Sequence, residues 1–435
     1  MYRKITAELI KWKNSPYRKP LILQGARQVG KTYSALEFAK AEYDNVAYIN
    51  FEYDSNAAKI FQANLDPQKL IPAFEVYTKQ AIAKKGTLIF FDEVQKCPPA
   101  LTALKYFCEF APDYHIIAAG SLLGVSVSRE QHSFPVGKVD RLTLHPMDFE
   151  EFLMATVKSE METAFPEMIR SSFKQNSPLD AYYHTHIIEQ YRRYLVVGGM
   201  PECVLKYTAT DNFDLVRTAQ SMIINDYLDD MSKYNTSTEI KKTRLTYNSI
   251  SAQLSKKNTR FQYKLVKSGG RAAEFENAIE WLALSGIVTR VFGIDTIKKP
   301  PKNYKNIDKF KIFYSDVGLL CARNNILPND IIFGLDDLND FKGGLTENYV
   351  CSQLVRSGHT CYTWQSEGEA EIDFIISLEG NIIPVEVKSA DNSMAKSLRT
   401  YMKKFKPEYA IKVSANNFGF ANGIKTIPLY AAHCI

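Results

Sequence analysis

One stretch constrains this chain more than any other: Lys19 to Thr32 reads KPLILQGARQVGKT. Leu21, Ile22 and Leu23 form a short apolar strand, and Gly25-Ala26-Arg27-Gln28-Val29-Gly30-Lys31-Thr32 fits G-x-x-x-x-G-K-[ST]. Helix-forming residues follow, from Tyr33 to Lys40. Strand, glycine loop and helix are the context in which this spacing has chemical meaning. Two glycines let the backbone turn tightly enough for successive amide N–H groups to point inward, a cradle for phosphate oxygens. The helix start adds the positive end of its dipole. In such a loop Lys31 reaches the β- and γ-phosphates and Thr32 ligates Mg²⁺, so Gly25 to Thr32 and Tyr33 are the expected contacts of ATP.

A second element belongs with the first. Thr87-Leu88-Ile89-Phe90-Phe91 is continuously apolar, as expected of a strand buried on both faces of a parallel sheet. It ends in Asp92-Glu93, where open α/β sheets bind ligands. Asp92 suits a Mg²⁺ ligand, and Glu93 suits the base that activates an attacking water. Further strands are predicted at Val46–Phe51, His115–Ser121 and Leu142–Leu144. An extra strand between the glycine-loop strand and the Asp-Glu strand resembles the AAA-type branch of P-loop ATPases. That resemblance implies a γ-phosphate sensor at the end of the neighbouring strand. Ser121 stands there, although Asn or Thr is commoner, and a turn or cap serine would look the same. An arginine finger would be Arg129, in the loop 126–139, or Arg141, or would come from another subunit.

The chain of 435 residues allows two to four domains. At 45% hydrophobic and 23% charged, it is neither a disordered chain nor a fibre. Seven cysteines without a Cys-x-x-Cys pair argue against a disulfide framework or a zinc site and favour the cytoplasm. The N-terminus lacks the pattern of a secretory signal, and no apolar run is long enough to span a membrane.

The net charge of +6 is concentrated: residues 233–311 carry 17 lysines and arginines against 6 acids. Helices are predicted at 245–254 and 271–285, the second with Phe275, Ala278, Ile279 and Leu282 on one face. Ile287–Val291 and Phe310–Tyr314 alternate like strands around a lysine-rich loop, 298–309. Helices followed by a basic hairpin make a winged-helix pattern. DNA or another nucleic acid is the expected partner, with Lys256, Lys257, Arg260, Lys264, Lys267 and Arg271 on phosphates. A solvated basic face on a protein-binding module has the same composition. Residues 154–230 read as helical, with a stop at Gly198-Gly199 before Pro201. His184 and His186, two apart on a helix, point away from each other and read as surface residues.

In the last third, an amphipathic helix begins at 343, followed by strands at 360–364, 371–377 and 381–388. Asp373 lies 15 residues before Lys388, and Glu386 and Lys388 share one face of their strand. The pattern resembles the PD-(D/E)xK nuclease core, though no Pro-Asp precedes the pair. The resemblance implies Asp373 and Glu386 on Mg²⁺, Lys388 on the water, Glu347 of the helix joining them, and metal-assisted phosphodiester hydrolysis. The other reading is a binding domain in which these groups are salt-bridged.

The ordered set GARQVGKT (25–32), LIFFDEVQK (88–96), AAGSLLG (118–124), HPMDFEEFL (145–153), VVGGMPE (196–202), FYSDVGLL (313–320) and GGLTENYV (343–350), with EIDFII and PVEVK downstream, resembles one group over nearly its full length. These are prokaryotic AAA-type ATPases with a C-terminal domain of unknown function. The resemblance implies an α/β chain: a P-loop sheet domain (1–155), a helical lid (156–232), a winged-helix module (233–311) and a nuclease-like domain (312–435). It implies ATP with Mg²⁺, and an oligomer is compatible with it. Two functions remain open: an ATPase driving a nucleic-acid-directed nuclease-like module, or an ATP-dependent switch whose C-terminal domains bind a protein and cut nothing.

Overall fold

The computed structural model describes residues 1–121, 135–233, 237–255, 260–333, 339–368, 370–388 and 396–435. Arg129, Lys256 and Lys257 lie outside them. The chain forms two compact units, Met1–His145 with Leu284–Gly286, and Pro146–Ala283 with Ile287–Ile435.

Among the described residues the first unit is built on five parallel strands: β1 (Leu21–Gln24), β2 (Asn45–Asn50), β3 (Thr87–Asp92), β4 (His115–Ala119) and β5 (Asp140–Thr143). Their order in the sheet is β2-β3-β4-β1-β5. The extra strand between the glycine-loop strand and the Asp-Glu strand is therefore β4, while β2 lies at the edge. Every residue of β3 is buried, as its unbroken apolar run requires. Beneath it, Phe91 meets Phe51, Phe61 and Phe74 edge-on at 5.6–5.8 Å. Such rings bury large apolar areas and prefer this geometry, so they fix the sheet whose strand ends carry the polar groups.

Among its described residues the second unit carries eight strands. β6 (Val288–Ile294) and β7 (Lys305–Tyr314) form the predicted hairpin. β8 (Tyr362–Gln365), β9 (Glu371–Leu378), β10 (Asn381–Val387), β11 (Ala410–Ser414), β12 (Gly419–Ala421) and β13 (Ile424–Pro428) follow. All belong to one sheet, ordered β12-β13-β11-β10-β9-β8-β6-β7. Helices Ser237–Ser255, Tyr263–Val266 and Ala272–Leu284 precede the hairpin.

Two expectations meet a different structure here. The expected junction at 311/312 falls inside β7. The hairpin is continuous with the C-terminal sheet because β6 pairs in parallel with β8, Phe292 opposite Tyr362, which satisfies an edge that would otherwise be open. And His184 is no free surface residue: its ring nitrogens meet the Tyr430 hydroxyl at 2.9 Å and the Ala415 carbonyl at 3.1 Å.

The motifs VVGGMPE and FYSDVGLL meet backbone to backbone. Gly199 N–H donates to Asp316 Oδ2 at 2.7 Å, and Asp316 Oδ1 accepts from Leu319 N–H at 3.0 Å, capping a helix. A Cβ on Gly199 would lie 2.0 Å from the Met147 carbonyl oxygen, and one on Gly318 2.6 Å from the Gly198 nitrogen. Buried Arg356 donates to the carbonyls of Met147 (2.8 Å) and Ser315 (2.7 Å). These residues join segments far apart in sequence, and their burial makes them structural.

Candidate functional site

The glycine loop sits between β1 and the helix Lys31–Glu42. Gly25 has φ 149°, and a Cβ there would lie 2.1 Å from the Leu144 carbonyl oxygen, so no other residue fits. Gly30, at φ 92°, turns the chain into the helix. Gln28 is also left-handed, at φ 64°. Arg3, buried, donates to the Val29 carbonyl at 2.8 Å and the His145 carbonyl at 2.7 Å, bracing the far side of the loop. Tyr33 stands exposed at the start of the helix.

Lys31 is buried and folds back onto its own loop, donating to the carbonyls of Gly25 (3.0 Å) and Ala26 (2.7 Å). Burial pushes its pKa down to about 8, against the pull of Glu93 and Asp92. Thr32 Oγ1 lies 3.1 Å from each carboxylate oxygen of Asp92. Those two hard oxygen donors converge as a Mg²⁺ site beside a phosphate cradle needs, so the residues fit the ion. Asp92 is raised by burial, with hydrogen bonds from Tyr48 and Thr32 opposing. The Tyr48 hydroxyl donates to Asp92 Oδ2 at 2.8 Å, and burial pushes its own pKa up to about 12. Asn50, in register with Asp92 across β2 and β3, donates to the Tyr48 oxygen at 2.9 Å.

Glu93 has φ 50°, a conformation that non-glycine residues rarely adopt and that turns its carboxylate sharply off the strand. Glu93 Oε2 accepts from Ser121 Oγ at 3.2 Å and from the Gln95 amide, which also donates to Ser121 Oγ at 3.3 Å. Lys31, Thr32, Asp92, Glu93 and Ser121 thus gather at the C-terminal edge of one sheet. Tyr48, Asn50, Gln95 and Arg3 were missed by sequence reasoning. Only Asn50 carried a signal, as the polar end of an edge strand. Arg141, on β5, is exposed.

The second unit brings Glu347, Asp373, Glu386 and Lys388 into one cluster. Glu347 comes from the helix Asn339–Arg356, Asp373 from β9, Glu386 from β10 and Lys388 from the position after it. Lys388 Nζ pairs with Glu386 Oε1 at 2.5 Å. Asp373 Oδ2 accepts the Val387 N–H at 2.7 Å, and burial beside Glu347 and Glu386 holds its pKa well above the usual carboxylate range. Glu386 Oε2 is buried without a hydrogen-bond partner. Two further members were not read from the sequence. Lys311 Nζ, on β7, lies 2.8 Å from Glu347 Oε1 and 2.9 Å from Glu371 Oε1. Burial would lower its pKa, but Glu347 and Glu371 reverse that and hold it protonated.

This donor set does not fit a bound Mg²⁺, because three of the carboxylates already face an ammonium group and the fourth a backbone N–H. Among the described residues no group of three or more histidine, cysteine or carboxylate side chains is arranged to hold a metal ion.

Residues 17–153 match a family described as AAA domain. Residues 188–330 match a domain of unknown function, DUF8612, and residues 342–432 another, DUF4143. The chain thus carries an N-terminal AAA-type domain followed by segments of unknown function. No curated protein matches the chain. Among solved structures, the Aeropyrum pernix ORC2 protein with ADPNP and ADP is 12% identical, over 76% of this chain and 94% of that one, at TM-score 0.37. The Aeropyrum pernix ORC1 protein in complex with DNA is 12% identical over 74% and 91%, at 0.28. Drosophila ORC bound to DNA is 13% identical over 68% and 88%, at 0.26. Overlap at that level carries no argument about what this chain does. No helix among the described residues is long and apolar enough to cross a membrane.

Proposed function

We propose that this protein is a Mg²⁺-dependent ATPase that works as a switch, with C-terminal segments that bind a protein partner and do not cleave nucleic acid. The observation that carries the ATPase reading is the gathering of Lys31, Thr32, Asp92, Glu93 and Ser121 at one sheet edge. Gly25 to Thr32 cradle the phosphates through backbone N–H groups, with Tyr33 at the mouth. Lys31 leaves the two carbonyls for phosphate oxygens. Thr32 and Asp92 would hold Mg²⁺, which when bound would supply charge neutralisation on the phosphates. Glu93 orients the attacking water and takes its proton, and Ser121 reports the state of the γ-phosphate through its hydrogen bond to Glu93.

The test is calorimetric titration of ATP and Mg²⁺ into the full chain and its Lys31→Ala variant. Binding by the first and a loss of about a hundredfold in the second is expected, since charge-assisted hydrogen bonds are the strong ones. Equal affinities would remove the reading.

A nucleic-acid partner remains the second reading, because Arg260, Lys264, Lys267 and Arg271 are all exposed, as are Lys298, Lys299, Lys302, Lys305 and Lys309 along the hairpin. Binding through such a row must weaken steeply with salt. Salt-dependent DNA binding would promote this reading over the protein-partner one, and its absence at low salt would end it.

A further inference from the structure

We infer that Lys311 is the resident cation of the C-terminal cluster, filling from the hairpin strand the place where a divalent metal ion would bridge the helix carboxylate to those of the sheet. This deepens the non-cleaving reading above and rests on geometry of its own. Three elements converge on the Lys311 ammonium. Strand β7 delivers it, the helix Asn339–Arg356 delivers Glu347, and the start of β9 delivers Glu371. The Lys311 ammonium donates to Glu347 Oε1 at 2.8 Å and faces Glu371 Oε1 at 2.9 Å as an ion pair without hydrogen-bond alignment, so it compensates the charge of both carboxylates. The Lys311 side chain is 11% exposed and its partners 18% and 27%, so water screens the pairs poorly.

The strand pattern explains why the lysine points inward. Side chains alternate along β7: Phe310, Ile312 and Tyr314 take one face, where Phe310 stacks on Phe261 and Tyr314 meets Tyr247. Lys311 and Phe313 take the other, where Phe313 packs on Phe374 of β9. Lys311 is therefore fixed by register rather than free to swing out. Beside it, Lys388 neutralises Glu386 Oε1 and leaves Glu386 Oε2 buried and unpartnered. Removing the Lys311 ammonium frees Glu347 Oε1 and leaves the Glu371 carboxylate uncompensated, both within electrostatic reach of Glu386, a hard-oxygen set of the kind divalent cations take.

The experiment uses the nucleotide-free full chain carrying Asp92→Asn, so that the nucleotide site contributes no metal binding. Mn²⁺ is titrated calorimetrically into this chain and into the same chain with Lys311→Met, which keeps length without charge. The lysine-bearing chain is expected to bind no Mn²⁺ in this unit. Lys311→Met is expected to gain a Mn²⁺ site in this unit, lost again with Glu386→Gln. Mn²⁺ binding by the lysine-bearing chain that disappears with Glu386→Gln would overturn the inference, as would no gain in Lys311→Met. Should Lys311→Met fail to fold, the lysine-bearing chain with and without Glu386→Gln decides alone. None of these results depends on whether ATP is hydrolysed.

Discussion

Lys31 is buried and Lys311 largely so, both in places where an outside ligand would be looked for, and they differ in what holds them. Lys31 donates to two neutral carbonyl oxygens of its own loop. Hydrogen bonds from a charged group contribute roughly 1.5–3 kcal/mol each, and anionic phosphate oxygens can replace them at a gain. Lys311 stands between two carboxylates. Breaking a buried ion pair costs about 3–5 kcal/mol, because the charge left behind has no solvent. Neutral acceptors keep the first lysine available, whereas charged acceptors retire the second. The same side chain rests against neutral acceptors in one unit and against carboxylates in the other, where Glu386 Oε2 stays unpartnered.

The largest effect that would break this contrast lies on the nucleotide side. Glu93→Gln is expected to lower steady-state phosphate release by about 10²–10⁴-fold while ATP still binds. Unchanged turnover would remove Glu93 as the base and leave the first site without its chemistry. On the other side, Glu347→Ala is expected to cost about 3 kcal/mol in urea unfolding, since Lys311 then keeps one partner. A cost below about 0.5 kcal/mol, typical of a surface pair, would mean that the cluster is solvated and the contrast false.

The smallest effect is the most specific. Burial holds Lys31 at about 8, below its ordinary 10.5, so the free protein keeps the ammonium only below that pH. ATP needs the ammonium, so its dissociation constant should be flat below about pH 8 and rise by up to about tenfold per pH unit above it. The sign for folding is the reverse. Between about 8 and 10.5 the unfolded chain binds the extra proton, so this lysine's contribution to stability rises with pH. Titrations across pH 7–9.5 check this, and a flat profile would mean that Lys31 is not desolvated.

The glycine loop and the Asp-Glu strand were legible in the sequence because fixed residue types at fixed spacing are what phosphate chemistry requires. Ser121 was legible by position, at the end of β4. Gln95 and Tyr48 were not, because their contacts arise when separate elements meet: a 3₁₀ turn after β3 for one, an edge strand for the other. Lys311 was counted as one more charge of a basic region, since composition does not carry register. It turned inward because β7 continues into the C-terminal sheet, a pairing of β6 with β8 that no local pattern announces. VVGGMPE and FYSDVGLL were read as marks of a resemblance. Their glycines are there because Gly199 meets the Met147 carbonyl and Gly318 meets Gly198 with no room for a side chain.

Counting bound manganese tests the contrast most directly. Electron paramagnetic resonance of the full chain with saturating ATP and Mn²⁺ gives the number of ions held per chain. The expected result is one ion, absent without ATP and absent in Lys31→Ala. A second ion that survives Lys31→Ala and vanishes in Glu386→Gln would contradict the account.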